Sequence, residues 1–531
     1  MSSTAESIND SKIDKGFFGH PSGLSTLFFT EMWERFSFYG MRAILFLYMT
    51  KTVAEGGLGW SEEYAGPVYG LYAASVYFLP LIGGWIADRF IGAKRATFIG
   101  GVIIMLGHFS LAVPKIQFFY LGLVLVAVGT GFLKSNISAM VGDLYSKNDV
   151  RRDAGFSVFY MGINIGAFLS PLVCGFLAQS DRFKNFIVGL GFDVNNSWHF
   201  GFAAAGVGMF FGLVQYLVGR RNIANVGLPP GENPRLAGEA QTSNFSPKYL
   251  TQMAVVIVSA TLIVIISAFV YDAMTAITMV LTPVVVVAGL IAVILTGMQD
   301  KLTTADWKRI GIIIILFSFS TVFWMGFEQA STSLNAFADK LTVTTLFGYD
   351  FPSSWLQSVN PFLLVIFAPI LAWVWIKLGD RQPSDSIKFA FGLFFGGLGF
   401  VVVAYASHLL GSNADGSIQT RVTFWWLVLV YLCHTIGELC LSPVGLSSMT
   451  KLAPAKMVSL MLGVWFLSIS LGNYIAGQIA GKFVENSSVL VGVFSKVAMI
   501  MIGAGVVLAL ISPLVKKLYS KPLEVVPQET L

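Results

Sequence analysis

Apolar stretches long enough to cross a lipid bilayer recur along almost the whole chain, with short polar connections between them. A membrane-spanning helix needs about 20 consecutive, mostly apolar residues. Such stretches fall at 24–50, 66–87, 96–113, 117–140, 154–179, 198–219, 249–270, 274–297, 308–335, 355–379, 387–410, 421–449, 457–481 and 490–515. The pattern predicts an all-α membrane protein with fourteen spans.

One long polar connection, residues 220–248, separates six predicted helices from the eight that follow. The next two helices, 249–297, are nearly uncharged, which is typical of a lipid-facing accessory pair. Without this pair the chain divides into six plus six helices, an arrangement in which two bundles flank a central site. The predicted organisation is a tail (1–23), a first bundle (24–219), a linker with the inserted helix pair (220–307), a second bundle (308–518) and a tail (519–531).

Composition and charge agree with a membrane location. Of the 531 residues 55% are hydrophobic and only 12% are charged, whereas soluble proteins carry about 25% charged residues, so a water-soluble globule is excluded. Loops on the side of the N-terminus hold 23 of the Lys and Arg residues and those on the opposite side hold eight. By the positive-inside rule, both termini are expected in the cytoplasm.

Seven charged side chains lie well inside the predicted helices, where each costs about 2.5–3.5 kcal/mol on insertion scales. They persist there only if they face protein or water and have a partner, so they predict a polar cavity. The alternative interpretation is that these residues form static ion pairs that hold neighbouring helices together. The seven residues are Glu31, Glu34, Arg35, Arg42, Lys134, Glu328 and Glu438.

Four of these charges belong to the first predicted helix and fall within an arc of about 100° on a helical wheel. Phe38 lies inside that arc and Tyr39 beside it. The opposite charges of the two halves are expected to pair when the bundles close on one side and to separate when they open. We predict that Arg42 pairs with Glu328 and closes the external side.

Aromatic and amide residues extend the predicted cavity. Trp324 lies one turn before Glu328, and Trp465 with Ser468 repeats a similar spacing in the penultimate helix. Asn164 and Asn360 are amides in otherwise apolar helices. The alternative for each amide is an interhelical hydrogen bond worth about 0.6 kcal/mol.

Several other kinds of chemistry lack support in the sequence. The phosphate-loop-like stretch G-T-G-F-L-K-S has Leu133 where that motif needs glycine. His434 and Glu438 stand four residues apart, but no further histidine or cysteine pair completes a metal site. We found no nucleophile elbow and no nucleotide fingerprint. The sequence therefore gives no reason to expect an enzyme, a metal, an organic cofactor, a nucleic-acid partner or an obligatory protein partner.

Three motifs carry a family resemblance. E-M-W-E-R-F-S-F-Y-G (31–40) is similar to E-x-x-E-R-F-x-Y-Y-G and differs at Phe38, where a tyrosine is usual. F-Y-M-G-I-N-I-G (159–166) fits F-Y-x-x-I-N-x-G, and the 83–95 stretch is similar to a G-x-x-x-D-R-x-G-R-R loop with one insertion. Over residues 20–515 the chain resembles the proton-dependent oligopeptide transporters of the major facilitator superfamily.

The resemblance implies a major facilitator fold, residence in the bacterial inner membrane and symport of di- and tripeptides, with the proton as coupling ion and no other cofactor. A relative that carries nitrate or another small anion, and a receptor that transports nothing, are the alternatives. The peptide carboxylate is expected near Arg42 and Lys134, and the amino group near Glu438. The expected proton-coupling residues are Glu31, Glu34, Arg35 and Glu328. The expected substrate-binding residues are Arg42, Tyr39, Tyr77, Lys134, Asn164, Trp324, Asn360, Glu438, Trp465 and Ser468.

Overall fold

The computed structural model describes residue 14 and residues 16–146, 149–229, 273–299, 301–413, 418–454 and 457–519. The predicted span at 249–270 and most of the linker before it lie outside the described residues. Every other predicted span corresponds to a helix of the structure.

The first half of the chain consists of six long helices and one short one. They are α1 (Ser22–Thr50), α2 (Glu62–Ile86), α3 (Ala93–Leu111), α4 (Ile116–Asp143), α5 (Arg152–Gln179), the short α6 (Asp181–Gly189) and α7 (Ser197–Val218). Helix α1 packs against α5 and α7, while α4 packs against α2 and α3. This packing buries the charged face of α1 inside the protein.

The described remainder begins with the inserted helix and continues into a second bundle. These helices are α8 (Ala273–Gln299), α9 (Thr304–Phe327), the short α10 (Ser333–Leu341), α11 (Val359–Leu378), α12 (Asp385–His408), α13 (Trp425–Leu452), α14 (Val458–Ala480) and α15 (Ser487–Tyr519). Helix α12 packs against α13 and α15, and α8 lies against α2 and α14. Eleven of the described helical segments are long and apolar enough to cross a membrane.

One predicted helix, 308–335, is interrupted in the structure. Helix α9 ends at Phe327, a 3-10 turn covers Glu328–Ser331, and α10 starts after Thr332, whose φ of −123° and ψ of −96° are not helical. The predicted span is present within Thr304–Leu341, but apolar periodicity alone does not reveal this break inside it. Glu328 therefore lies at the end of α9, where the turn directs it toward the first half.

The strands are short and belong to loops. Strand β1 (Thr342–Val343) pairs in parallel with β6 (Val422–Thr423). The antiparallel pairs are β2 (Thr345–Leu346) with β3 (Tyr349–Asp350), and β4 (Gly411–Ser412) with β5 (Ile418–Thr420). They leave the fold class of an all-α membrane protein unchanged.

The two halves meet where α2 crosses α14 and where α5 contacts α11. At the first crossing, glycines bring the backbones together: a Cβ atom at Gly66 would lie 2.5 Å from the carbonyl oxygen of Gly477. Small residues allow this close approach between membrane helices. The crossing lies near the end of the bundle at which α1 finishes and Lys51 follows, called here the Lys51 end. The opposite end, where α1 begins, is the Ser22 end.

Candidate functional site

The buried face of α1 holds one guanidinium between two carboxylates. Arg35 Nε lies 2.9 Å from Glu31 Oε1 and 2.5 Å from Glu34 Oε2, and all three side chains are buried. Among the described residues, Glu31 Oε2 and Glu34 Oε1 have no hydrogen-bond partner. The cluster can therefore accept a proton on a carboxylate oxygen without first breaking a hydrogen bond.

Lys134 of α4 lies next to this cluster. Its ammonium sits 3.7 Å from the centre of the Tyr77 ring, a cation–π contact. Glu31 and Glu34 are close enough to interact with it electrostatically. A change in the charge of either carboxylate thus alters the electrostatic field at Lys134.

The predicted ion pair between Arg42 and Glu328 is confirmed. Arg42 Nη2 contacts Glu328 Oε2, and Arg42 Nε donates to the Tyr69 hydroxyl at 3.1 Å. The ring of Tyr39 lies 5.9 Å from Arg42 Cζ. Because α1 belongs to the first half and Glu328 to the second, this buried pair joins the two bundles.

Glu438 of α13 is held by a neighbouring amide. Asn360 of α11 donates from Nδ2 to Glu438 Oε2 at 3.1 Å and to Thr435 Oγ1 at 3.0 Å. The amide thus forms an interhelical hydrogen bond and also orients the carboxylate. Arg42 and Glu328 lie within electrostatic range of Glu438, so the acid of α13 belongs to the same polar region as the residues of the first half.

Two tyrosines of the first half lie close to Glu438 of the second half. Tyr39 is within electrostatic range of Arg35 and Arg42 on its own helix and of Glu438 across the interface. Tyr160 of α5 interacts with the Asn164 side chain and is close to Tyr39 and Glu438. Its side chain is 47% exposed although it lies among these groups, which places it on the wall of the central space. Tyr160 was not among the predicted site residues, although it lies one turn before Asn164 within the 159–166 motif.

The remaining predicted residues are less directly involved. Trp324 is buried, and its Nε1 has no hydrogen-bond partner among the described residues. Asn164 Nδ2 donates to the Tyr160 carbonyl oxygen at 2.9 Å, within its own helix. Trp465 packs on Gly445, inside the second bundle.

Ser468 is fully buried between two helices of the second bundle. Its hydroxyl lies 2.8 Å from that of Ser320 on α9 and bonds the Trp465 carbonyl oxygen at 2.7 Å. These contacts give Ser468 a packing role in this structure. The structure thus brings together the charged residues and tyrosines of the predicted site, whereas Trp465 and Ser468 contact their own bundle.

Ion pairs also join the halves at the Lys51 end. Lys51 lies 2.9 Å from Asp339, and Lys340 lies 2.5 Å from Glu62 and 2.9 Å from Glu485. Burial alone would lower the pKa of Lys51, but the carboxylate of Asp339 outweighs it and raises that pKa. Lys51 is therefore charged throughout the physiological pH range.

Hydrogen bonds strengthen the contact at the same end. Gln179 of α5 donates to Ser353 at 2.9 Å and to Asp339 at 3.2 Å. Asn335 of α10 donates to the carbonyl oxygen of Ala43 at 2.8 Å. Together with the ion pairs, these bonds close the bundle at the Lys51 end.

The described residues contain no group of three or more His, Cys, Asp and Glu side chains placed to hold a metal ion. The three cysteines are free and buried.

A family model described as "POT family" matches residues 94–500. The chain belongs to this family. Among POT-family relatives, it is 37% identical over 520 residues to "Peptide transporter YePEPT" of Yersinia enterocolitica, covering 94% of this chain and 95% of that one. It is also 37% identical to a "Di-/tripeptide transporter" of Lactococcus lactis subsp. cremoris, covering 96% and 99%.

Solved structures of POT-family transporters share the fold. A peptide transporter POT mutant in complex with alafosfalin is 39% identical, with a TM-score of 0.81, covering 96% of this chain and 98% of that one. A POT family transporter in complex with 5-aminolevulinic acid is 32% identical, with a TM-score of 0.79, covering 94% and 98%. The predicted major facilitator fold is confirmed: this POT-family chain is a multi-pass membrane transporter with two six-helix bundles.

Proposed function

We propose that this protein is a proton-coupled symporter that carries di- and tripeptides into the cell by alternating access. The observation that carries the proposal is the distribution of charge in the central region. Cationic Lys134 and Arg42 belong to the first half, and the carboxylate of Glu438 belongs to the second half. The names of the relatives agree with this substrate class.

A peptide is a zwitterion, and its two charged ends suit these two sets of groups. Its carboxylate binds toward Lys134 and Arg42, and its amino group binds Glu438, which Asn360 holds in place. Charge-assisted hydrogen bonds of this kind are stronger than neutral ones. The peptide side chains meet aromatic walls that include Tyr160, and such walls accept side chains of different shape.

The proton binds to the carboxylates that face cations in α1 and α9. The cluster of Glu31, Glu34 and Arg35 has two negative groups and one positive group, so one proton leaves a neutral ion pair. Protonation of Glu328 weakens its attraction to Arg42, which releases the link between the halves. Proton binding in this way shifts the population toward the state that is open at the Lys51 end.

One proton supplies enough free energy for useful uptake. A membrane potential of 100 mV contributes about 2.3 kcal/mol per charge, and one pH unit contributes about 1.4 kcal/mol. Their sum of about 3.7 kcal/mol supports about 500-fold accumulation of the peptide.

The charge distribution of the loops supports the orientation in the membrane. With both termini in the cytoplasm, the Lys51 end is external and the Ser22 end is cytoplasmic. The bonds at the Lys51 end then represent the closed external gate. By its resemblance to bacterial transporters, the protein belongs in the inner membrane.

Uptake of labelled dialanine into proteoliposomes tests the function. We expect accumulation under an imposed inward proton gradient and its loss when a protonophore is added. Vesicles without protein are the control for leakage. Dialanine uptake that reaches only equilibrium with the gradient present would contradict proton coupling, and the absence of any dialanine exchange would contradict peptide transport.

A further inference from the structure

The connection between α5 and α7 carries apolar side chains that do not enter the protein core. Helix α6 follows α5 after a single residue, at the Lys51 end. On a helical wheel Phe183, Phe186, Ile187 and Leu190 occupy one face. Ile187 is buried, whereas Phe186 and Leu190 are each 60% exposed. The exposed residues that follow the helix include Phe192 and Val194.

The opposite face of α6 is mostly polar, although it also carries Val188, which is 51% exposed. Asp181, Arg182 and Asn185 are exposed, and Lys184 Nζ lies 3.9 Å from Asp181 Oδ1. A short helix with cations on its polar face and aromatic residues on the other is typical of a segment that lies in the plane of a membrane interface.

The packing of α6 fixes where this apolar surface lies. The ring of Phe183 is 6.2 Å from that of Phe176 in the last turn of α5 and 5.6 Å from that of Phe200 in α7. Phe176 is itself 37% exposed, as lipid-facing residues of a span are. The apolar face of α6 therefore continues the lipid-facing surface of α5 and α7.

A second exposed apolar side chain lies at the same end, on the other half. Phe347, at the tip of the β2–β3 hairpin, is 90% exposed and has a φ of 51°, in the left-handed region. The guanidinium of Arg182 lies 5.9 Å from the ring of Tyr349 in this hairpin. The contact joins α6 to an element of the second bundle.

We propose that α6 and residues 190–194, called here the interfacial segment, insert into the boundary between headgroups and acyl chains of the leaflet at the Lys51 end. The occupant of the apolar face is phospholipid, because the face is continuous with the lipid-facing surface and cations border it. The segment does not span the bilayer and anchors the first bundle at a fixed depth. Phe186 and Leu190 supply the inserted surface.

Site-directed spin labelling tests this proposal with the full chain in phospholipid nanodiscs. The native cysteines are buried, so a nitroxide reacts selectively with a new cysteine. The variants are Phe186→Cys, Leu190→Cys and, as the control on the polar face, Asn185→Cys. Each labelled variant is used only if it elutes as a single monodisperse species with the helical content of the wild-type chain.

The measurement is collision accessibility to oxygen, which partitions into acyl chains, and to a water-soluble nickel chelate. We expect an oxygen-to-nickel ratio severalfold higher at 186 and 190 than at 185. Equally low ratios at the three positions would place the segment in water, and equally high ratios would place the polar face among acyl chains as well; either result would overturn the proposal. Shielding of 186 and 190 from both reagents, or dipolar broadening between labels of two chains, would show protein contact instead and would also overturn it.

Discussion

At the residue scale, the cluster of Glu31, Glu34 and Arg35 is the arrangement most directly suited to binding a proton. Both carboxylates contact one guanidinium, and each keeps an oxygen without a hydrogen-bond partner among the described residues. A charge of this kind inside a membrane protein is maintained only where function or pairing compensates for its desolvation. The shared guanidinium allows one carboxylate to be neutralised while the other stays paired.

Removing the charge of Glu34 is expected to uncouple transport. Glu34→Gln should abolish dialanine accumulation driven by a proton gradient and leave exchange between equal pools, because the substrate groups remain. The comparison is Thr30→Val on the same buried helix. The Thr30 hydroxyl donates to the Thr26 carbonyl oxygen one turn earlier, so this variant should keep accumulation. Normal accumulation in Glu34→Gln would remove Glu34 from the coupling role.

Tyr160 is expected to contribute a hydroxyl to substrate binding. Tyr160→Phe removes one hydrogen bond worth about 0.5–1.5 kcal/mol, so dialanine affinity should fall by about 2- to 12-fold. Tyr474→Phe is the matched control, since its hydroxyl donates to the Met279 carbonyl oxygen on α8 at 3.0 Å. Equal affinities of the two variants would show that Tyr160 only shapes the wall.

Glu438 is expected to recognise the peptide amino group. An N-acetylated dipeptide leaves Glu438 without its cation, a loss of about 1–3 kcal/mol, or about 5- to 150-fold in affinity. Glu438→Gln should remove most of that preference for the free amine, as measured by binding competition. Glu328→Gln should keep the preference, because Glu328 pairs with Arg42. A wild-type preference in Glu438→Gln would contradict this role.

The sequence was most informative about charged residues. A charged residue inside a span is rare. Setting aside the charged residues of loops and helix ends therefore identifies Glu31, Lys134 and Glu438 without a structure. Tyr160 and Ser468 show the limit of this reasoning, because an uncharged polar residue is tolerated on several faces of a helix. The direction of its side chain depends on the packing of α5 or α14, which residue spacing alone does not determine.

At the scale of elements, the apolar pattern predicted the spans but not the end of α9. Apolar residues continue beyond Phe327, so the pattern also continues, whereas the backbone turns at Glu328–Ser331. That turn places Glu328 opposite Arg42 of α1. The pairing itself was predictable because both residues are charged and belong to different halves.

The buried pair between α1 and the turn after α9 is expected to behave as one unit. In a double-mutant cycle with Arg42→Gln and Glu328→Gln, dialanine exchange rates should give a coupling energy of about 0.5–3 kcal/mol. Each single variant leaves an unpaired buried charge, whereas the double variant leaves none. Strictly additive effects would mean that the contact does not control movement between the halves.

At the scale of the whole molecule, two bundles share one polar region and are joined at the Lys51 end. The ion pairs of Lys51 and Lys340 and the hydrogen bonds of Gln179 lie there, together with the close glycine crossing of α2 and α14. Rocking of one bundle against the other about such a contact exposes a central site to each side in turn. Coupling follows if peptide and proton bind to groups that the same movement rearranges.

Thermodynamic reciprocity provides the most direct measurement of that coupling. If a proton gradient drives peptide uptake, a peptide gradient must drive protons in the same direction. The measurement uses proteoliposomes that contain a pH-sensitive dye and have equal pH on both sides. Potassium and valinomycin clamp the membrane potential, and dialanine is then added outside. We predict acidification of the interior with the wild-type chain and none with Glu34→Gln. Entry of labelled dialanine through the wild-type chain without acidification would contradict proton-coupled symport.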